Sequence, residues 1–209
     1  MDGVLIDSGA HHRKAWGALL RELAVEPAER EFWRLTIGRP AEEAVPLVLG
    51  RSVSDAEARR LATRKRDLYA DFAARGTDIV GGVDAFIATL AQGGVPRAVG
   101  TSATSGDAFS LLREVGLGHY FDVIVTADDV RRGKPDPEVY LLAARRIGVA
   151  PEACVVFEDS LVGVQAARRA GMRAIGVATA HTPGELAAAG AEDAIASFEG
   201  LTWRRVAGA

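Results

Sequence analysis

Asparagine is absent from the 209 residues, cysteine occurs once, and lysine occurs three times against 22 arginines. The lone Cys154 has no intramolecular partner, which excludes a disulfide-stapled framework. It stands where an apolar strand begins and is expected in the core. No apolar run reaches the ~18 residues that a membrane-spanning helix needs. There is no basic excess either: the formal net charge is -3, with a pI near 5.8. A mildly acidic chain without a basic patch is not built for nucleic acid or an anionic membrane surface. The opening Met1-Asp2-Gly3 lacks the basic and apolar stretches of a secretory signal, so a cytoplasmic protein is expected. The scarcity of lysine makes Lys14, Lys65 and Lys134 informative, because interchangeable surface cations here are arginines.

What is present is an ordinary globular composition, 48% hydrophobic and 25% charged, long enough for one large domain or one domain with an insertion. Residues 81–209 alternate helical and strand patterns. Helices are expected over 86–92, 107–115, 137–147 and 164–170, and strands over 96–100, 120–125, 153–157, 174–177 and 193–196. Apolar, β-branched runs separated by helices mark a parallel sheet covered on both faces. Residues 9–80 differ. Trp16, Leu19, Leu20 and Leu23 recur on one helical face, and further helical stretches follow near 27–36, 40–49 and 54–75 without a convincing strand. The expected fold is therefore α/β, a Rossmann-like parallel-sheet core of residues 1–8 and 81–209 with an inserted all-helical cap, 9–80. Gly76 and Gly81-Gly82 are placed to serve as return hinges.

In a parallel α/β sheet, chemistry collects at the carboxyl ends of the strands. Four segments fall there. Asp2-Gly3-Val4-Leu5-Ile6-Asp7-Ser8 precedes the helical block. Val99-Gly100-Thr101-Ser102-Ala103-Thr104 puts hydroxyls between a strand and a helix. Gly133-Lys134-Pro135-Asp136-Pro137 carries a lone lysine at a helix start. Val155-Val156-Phe157-Glu158-Asp159-Ser160 ends a strand in two carboxylates. Singly, each has a structural reading: Ser102 or Thr104 as a helix cap, Lys134 as a solvated cation, Glu158-Asp159-Ser160 as a helix entry. Together they suit one site. Hydroxyl and ammonium groups suit a phosphoryl group, and carboxylates suit Mg²⁺, a hard oxygen-seeking cation. No nucleotide P-loop pattern occurs.

This set of motifs resembles the haloacid dehalogenase superfamily, in the branch similar to β-phosphoglucomutase. The cap segments His12-x3-Trp16 and Thr63-Arg64-Lys65-Arg66-x2-Tyr69 also look like that branch. The resemblance implies a Mg²⁺-dependent phosphatase of a small phosphorylated metabolite such as a sugar phosphate. Asp2 would be the general acid/base, with Ser102 and Lys134 holding phosphate oxygens and Thr101 as the alternative to Ser102. Backbone groups near Gly3 and Ala103 would help. Mg²⁺ would be held by the Asp2 carbonyl and Asp159, with Glu158 assisting. His12, Arg39 and Lys65 would face the substrate from the cap. A monomer or weak homodimer is expected, with no nucleic-acid or membrane partner.

Two departures qualify the resemblance. Family members carry Asp-x-Asp-Gly after an apolar strand, and the first Asp is the nucleophile. Here Asp2 matches the second Asp, so the nucleophile, and the central strand before it, would lie just upstream of Met1. A chain truly starting at Met1 would be an inactive phosphate- or metal-binding protein. The mutase branch also places an Arg three residues after the cap glycine. In Ile37-Gly38-Arg39-Pro40-Ala41 that place is Ala41, which favours a phosphatase over a phosphomutase unless Arg39 compensates.

Overall fold

The computed structural model describes residues 1–26, 32–74 and 76–208. Residues 9–74 contribute helices and turns but no strand among those described. Helix α1 (Gly9–Glu22) buries Ala15, Trp16, Leu19 and Leu20, the apolar face that the spacing predicts. Helices α2 (Ala41–Leu49) and α3 (Asp55–Ala73) complete this block, and α3 starts where the Ser54 hydroxyl accepts from the Glu57 N–H. The three helices share one apolar cluster that includes Trp16, Val45 and Leu61. Of the helix expected over 27–36, residues 27–31 lie outside the described residues. Phe32–Thr36 is a short 3-10 helix.

The remainder alternates. Helix α4 (Val83–Gln92) leads to β1 (Ala98–Gly100), α5 (Ser105–Glu114), β2 (Val123–Val125), α6 (Glu138–Ile147), β3 (Val155–Glu158), α7 (Leu161–Arg169), β4 (Arg173–Val177), α8 (Pro183–Ala189), β5 (Asp193–Ile195) and α9 (Trp203–Ala207). All pairings between these strands are parallel, as the alternation implies. The faces divide by the two-residue period of a strand: Ala174 packs with α6, α7 and α8, whereas Ile175 and Val177 pack with α4, α5 and α9. Helices α8 and α9 were not expected. Each is short and begins at a threonine cap, Thr182 or Thr202. Among the described residues no helix is long and apolar enough to cross a membrane.

Among the described residues the strands form two groups, β1-β2 and β3-β4-β5, so β1 and β3 each keep one edge without a described strand partner. Between those edges runs a cavity of about 310 Å³ lined by Val99, Val155, Phe157, Phe86 and Ile87, with Met1 at its border. Cys154 also lines it and is only partly buried, so the expectation of a core cysteine is corrected: it stands just before β3 and packs at the margin of the cluster formed by α6, α7 and α8. Leu61, 2% exposed, fixes α3 in its cluster. Leu61→Ala is expected to cost about 2–5 kcal/mol in urea denaturation through the cavity it leaves.

Candidate active site

The residues expected to bind phosphate, cation or substrate all border one cavity of about 640 Å³. Thr101, Ser102, Ala103, Glu158 and Asp159 line it from the ends of β1 and β3, Asp2 and Gly3 from the first turn of the chain, Lys134 from the segment before α6, and His12, Arg39 and Lys65 from the helical block. The segment from Met1 to Ile6 folds tightly: the amides of Val4, Leu5 and Ile6 all donate to the Met1 carbonyl, and the Gly3 N–H donates to Ile6. Gly3 has φ +67, and a Cβ there would collide with the Asp159 carboxylate. The glycine is therefore required twice, by its backbone angle and by the close approach of Asp159.

Asp2 sits at the end of a hydrogen-bonded chain. Its Oδ1 accepts from the Ser8 hydroxyl at 2.5 Å and from His12 Nε2 at 3.3 Å. His12 Nδ1 in turn accepts from Lys65 Nζ at 2.6 Å, and the His12 ring stacks on Tyr69 with centroids 4.4 Å apart. Burial alone would raise the Asp2 pKa, but the bonds from His12 and Ser8 hold it well below the usual carboxylate range. Burial, with the Lys65 charge, lowers the His12 pKa, and burial lowers that of Lys65 to about 8. A neutral His12 with its proton on Nε2 satisfies both contacts.

Glu158 and Asp159 are adjacent in sequence and opposite in environment. Glu158 accepts from Lys134 Nζ and from the Tyr140 hydroxyl (2.6 Å) on Oε1, and from the Ser160 N–H (2.9 Å) and hydroxyl (2.8 Å) on Oε2. Burial opposes its ionisation, but the Lys134 charge prevails and lowers its pKa to about 2. Asp159 accepts no side-chain hydrogen bond among the described residues, and burial together with the Glu158 charge raises its pKa to about 8. Its main-chain carbonyl meets His181 Nδ1 at 2.9 Å.

That contrast bears on the expected cation. The described residues contain no ready cluster of three or more metal-binding side chains. Asp159 and Asp2 both border the cavity, carboxylate oxygen is a hard donor that suits Mg²⁺, and a buried carboxylate without a side-chain hydrogen bond is stabilised by a cation. The donor set fits. Glu158 is placed differently from the assisting role expected of it, since both of its oxygens are occupied by protein donors.

The hydroxyl segment divides its work. Thr104 caps α5 by accepting from the Asp107 N–H. Thr101 Oγ1 accepts from the Ala103 N–H at 3.1 Å, and the Ser102 hydroxyl donates to the Gly38 carbonyl of the helical block at 2.9 Å. Arg39 makes no side-chain bond among the described residues and borders the cavity. Tyr140, Ser8, Thr179 and His181 were not singled out from sequence. Ser8 closes the first motif without a role of its own there, whereas Tyr140, Thr179 and His181 reach the site only through tertiary packing; the Thr179 hydroxyl donates to the Gly3 carbonyl at 2.6 Å.

Two predictions follow from this geometry. A Cβ at Gly163 would collide with the Glu158 carboxylate, so Gly163→Ala is expected to destabilise by about 1–3 kcal/mol in denaturant titration, as overpacking does. Asp159 has a folded-state pKa near 8, above the ordinary 3.8. Its protonated form therefore favours the fold, a contribution complete below the ordinary value and lost as pH rises through about 8. Without divalent cations, Asp159→Asn is expected to raise the melting temperature at about pH 8 and to change it little near pH 4.

Comparison with known proteins places this geometry in a family. The family model for haloacid dehalogenase-like hydrolases matches residues 1–171. The chain is 37% identical over 177 residues to a fructose-1-phosphate phosphatase of Escherichia coli, covering 85% of this chain and 93% of that protein. It is 39% identical over 196 residues to a validoxylamine A 7'-phosphate phosphatase of Streptomyces hygroscopicus subsp. limoneus, covering 90% and 88%. Its fold matches the crystal structure of a family IA, variant 3 hydrolase from Entamoeba histolytica with a TM-score of 0.89 at 27% identity, over 100% of this chain and 95% of that one. With strand-end carboxylates, hydroxyls and a buried lysine gathered around one cavity, the chain belongs to the haloacid dehalogenase-like hydrolases.

Proposed function

We propose that this hydrolase is a Mg²⁺-dependent phosphatase of a small phosphorylated metabolite, of the sugar phosphate class. The observation that carries the reading is the convergence of Asp2, Ser102, Lys134 and Asp159 on one cavity large enough for a small metabolite. The similarity to a fructose-1-phosphate phosphatase and a validoxylamine A 7'-phosphate phosphatase supports a polyhydroxylated leaving group. Residues 1–8 and 81–209 act as the catalytic core, and 9–80 act as a helical cap that selects the substrate through His12, Arg39 and Lys65.

The nucleophile is an aspartate immediately before Met1, at the end of a parallel strand that occupies the slot between β1 and β3. The slot is apolar and bounded by two strand edges without partners, a combination that favours an extended apolar segment, since an unpaired buried backbone group costs about 1–3 kcal/mol. The aspartate carboxylate attacks phosphorus as the ester oxygen leaves, and the resulting aspartyl-phosphate is hydrolysed by water. Asp2 passes its proton to the leaving alcohol and later removes one from the attacking water. An incoming phosphoryl dianion raises the pKa of Asp2 toward its proton-carrying form, against the hold of His12 and Ser8. Lys134 and Ser102 bind equatorial phosphate oxygens. Asp159 and the Asp2 carbonyl would hold Mg²⁺, whose charge offsets repulsion between carboxylate and phosphate when bound.

A phosphomutase is the second reading, and Ala41 speaks against it, because a short apolar side chain cannot anchor a second phosphate. The test is Mg²⁺-dependent phosphate release from an aryl phosphate and from hexose phosphates, with and without the in-frame residues encoded upstream of Met1. Activity is expected only with them, and equal activity in both forms would overturn the placement of the nucleophile. In the active form Asp2→Asn is expected to lower kcat by about 10²–10⁴. Conversion of glucose 1-phosphate to glucose 6-phosphate in the presence of a bisphosphate primer would favour the mutase.

A further inference from the structure

The lysine and glutamate of the site are held by a side chain that belongs to none of the motifs. Tyr140 lies on α6, is 6% exposed, and donates its hydroxyl to Glu158 Oε1 at 2.6 Å. The same oxygen receives Lys134 Nζ, and that ammonium stands 4.9 Å from the centroid of the Tyr140 ring. The ring also lies against the backbone of Gly100, where a Cβ would come within 3.2 Å of its Cδ1 and Cε1. The Gly100 carbonyl faces Lys134 Nζ at 3.5 Å. One aromatic ring thus touches the end of β1, the lysine and the glutamate together.

The donor count makes this arrangement specific. Two donors fill each oxygen of Glu158, which exhausts what a carboxylate accepts. No lone pair remains for a cation. An ammonium has three donors; Glu158 takes one, Gly100 is the nearest acceptor for a second, and the third is left for the cavity that Lys134 borders.

We propose that Tyr140 is a positioning residue for phosphate recognition. Its hydroxyl and ring fix Glu158 and Lys134 so that one ammonium proton is presented to a phosphoryl oxygen. Glu158 then serves the phosphate subsite, and Asp159 is the side-chain carboxylate of the cation subsite. This rests on the phosphatase reading above, and it separates two functions that adjacency in sequence would merge.

The test measures inorganic phosphate binding by calorimetry and the Mg²⁺ concentration that half-saturates the thermal shift, on the whole chain. Tyr140→Phe keeps the ring and its packing and removes only the hydroxyl. It is expected to weaken phosphate binding about five- to tenfold, the net size of one ordinary hydrogen bond, with the Mg²⁺ midpoint unchanged. Glu158→Gln is expected to show the same pattern, so the inference does not hang on one variant. Asp159→Asn is expected to show the reverse, with the Mg²⁺ midpoint moved. A purely structural tyrosine would lower the melting temperature and leave phosphate affinity as in the wild type, which would overturn the proposal. A loss of Mg²⁺ and phosphate binding in equal measure in Tyr140→Phe would overturn it too. Lys134→Ala separates the two levels: if it binds phosphate as the wild type does, or if the wild type binds none, the phosphatase reading itself fails. If Lys134→Ala abolishes binding while Tyr140→Phe does not weaken it, only the role of Tyr140 fails.

Discussion

A buried ammonium held by a buried carboxylate is the constraint around which this molecule is arranged. Lys134 precedes α6, which packs on β1 and β2, while Glu158 ends β3 in the other strand group. Their ion pair joins the two groups at the carboxyl end of the slot that separates them. Neither charge would tolerate burial alone, and removing one partner of such a pair leaves the other uncompensated. The surroundings meet that demand. Ser160 and Tyr140 complete the hydrogen bonds of Glu158, Gly163 gives its carboxylate room, and the Gly100 carbonyl faces the lysine. Asp159, one residue on, receives none of this and is left with a carboxyl that favours its neutral form.

Polar contacts join the helical block to the rest of the chain. The Ser102 hydroxyl reaches the Gly38 carbonyl, and Arg34 pairs with Glu185 at 2.5 Å, itself the glutamate of the α8 capping box. The Lys65-His12-Asp2 chain crosses the same cavity from α3 through α1. The position of the block therefore bears directly on the carboxylate assigned to proton transfer. The Arg34–Glu185 pair, between partly exposed groups, is of a kind that contributes little by itself.

Much of this was legible before the structure. Trp16, Leu19 and Leu20 declared the buried face of α1 by their spacing, and the alternation beyond residue 81 declared parallel strands with helices on both faces. Glycines were legible as motif members but not as causes. That Gly3 gives way to Asp159, and Gly163 to Glu158, is a matter of distance between segments far apart in the chain or folded back on themselves. The partial exposure of Cys154 has the same kind of origin: its apolar neighbours indicate a buried strand, yet its burial depends on the helices that pack over it.

The amino-acid order alone determined which chemical groups this protein owns and that they stand at strand ends, because periodicity and turn residues are local properties of the chain. It placed Asp2, Ser102, Lys134 and Asp159 in four separate loops of a parallel sheet, and the parallel topology makes those loops neighbours. Only the tertiary structure decided how they divide their roles. Glu158 and Asp159 have like side chains and adjacent numbers, and what separates them is four donors around one, Lys134 and Tyr140 among them from other segments, and no side-chain hydrogen bond among the described residues for the other. Hydrogen-bond partners and local dielectric are set by contacts across the fold, and those are what distinguish two carboxylates of the same chemistry.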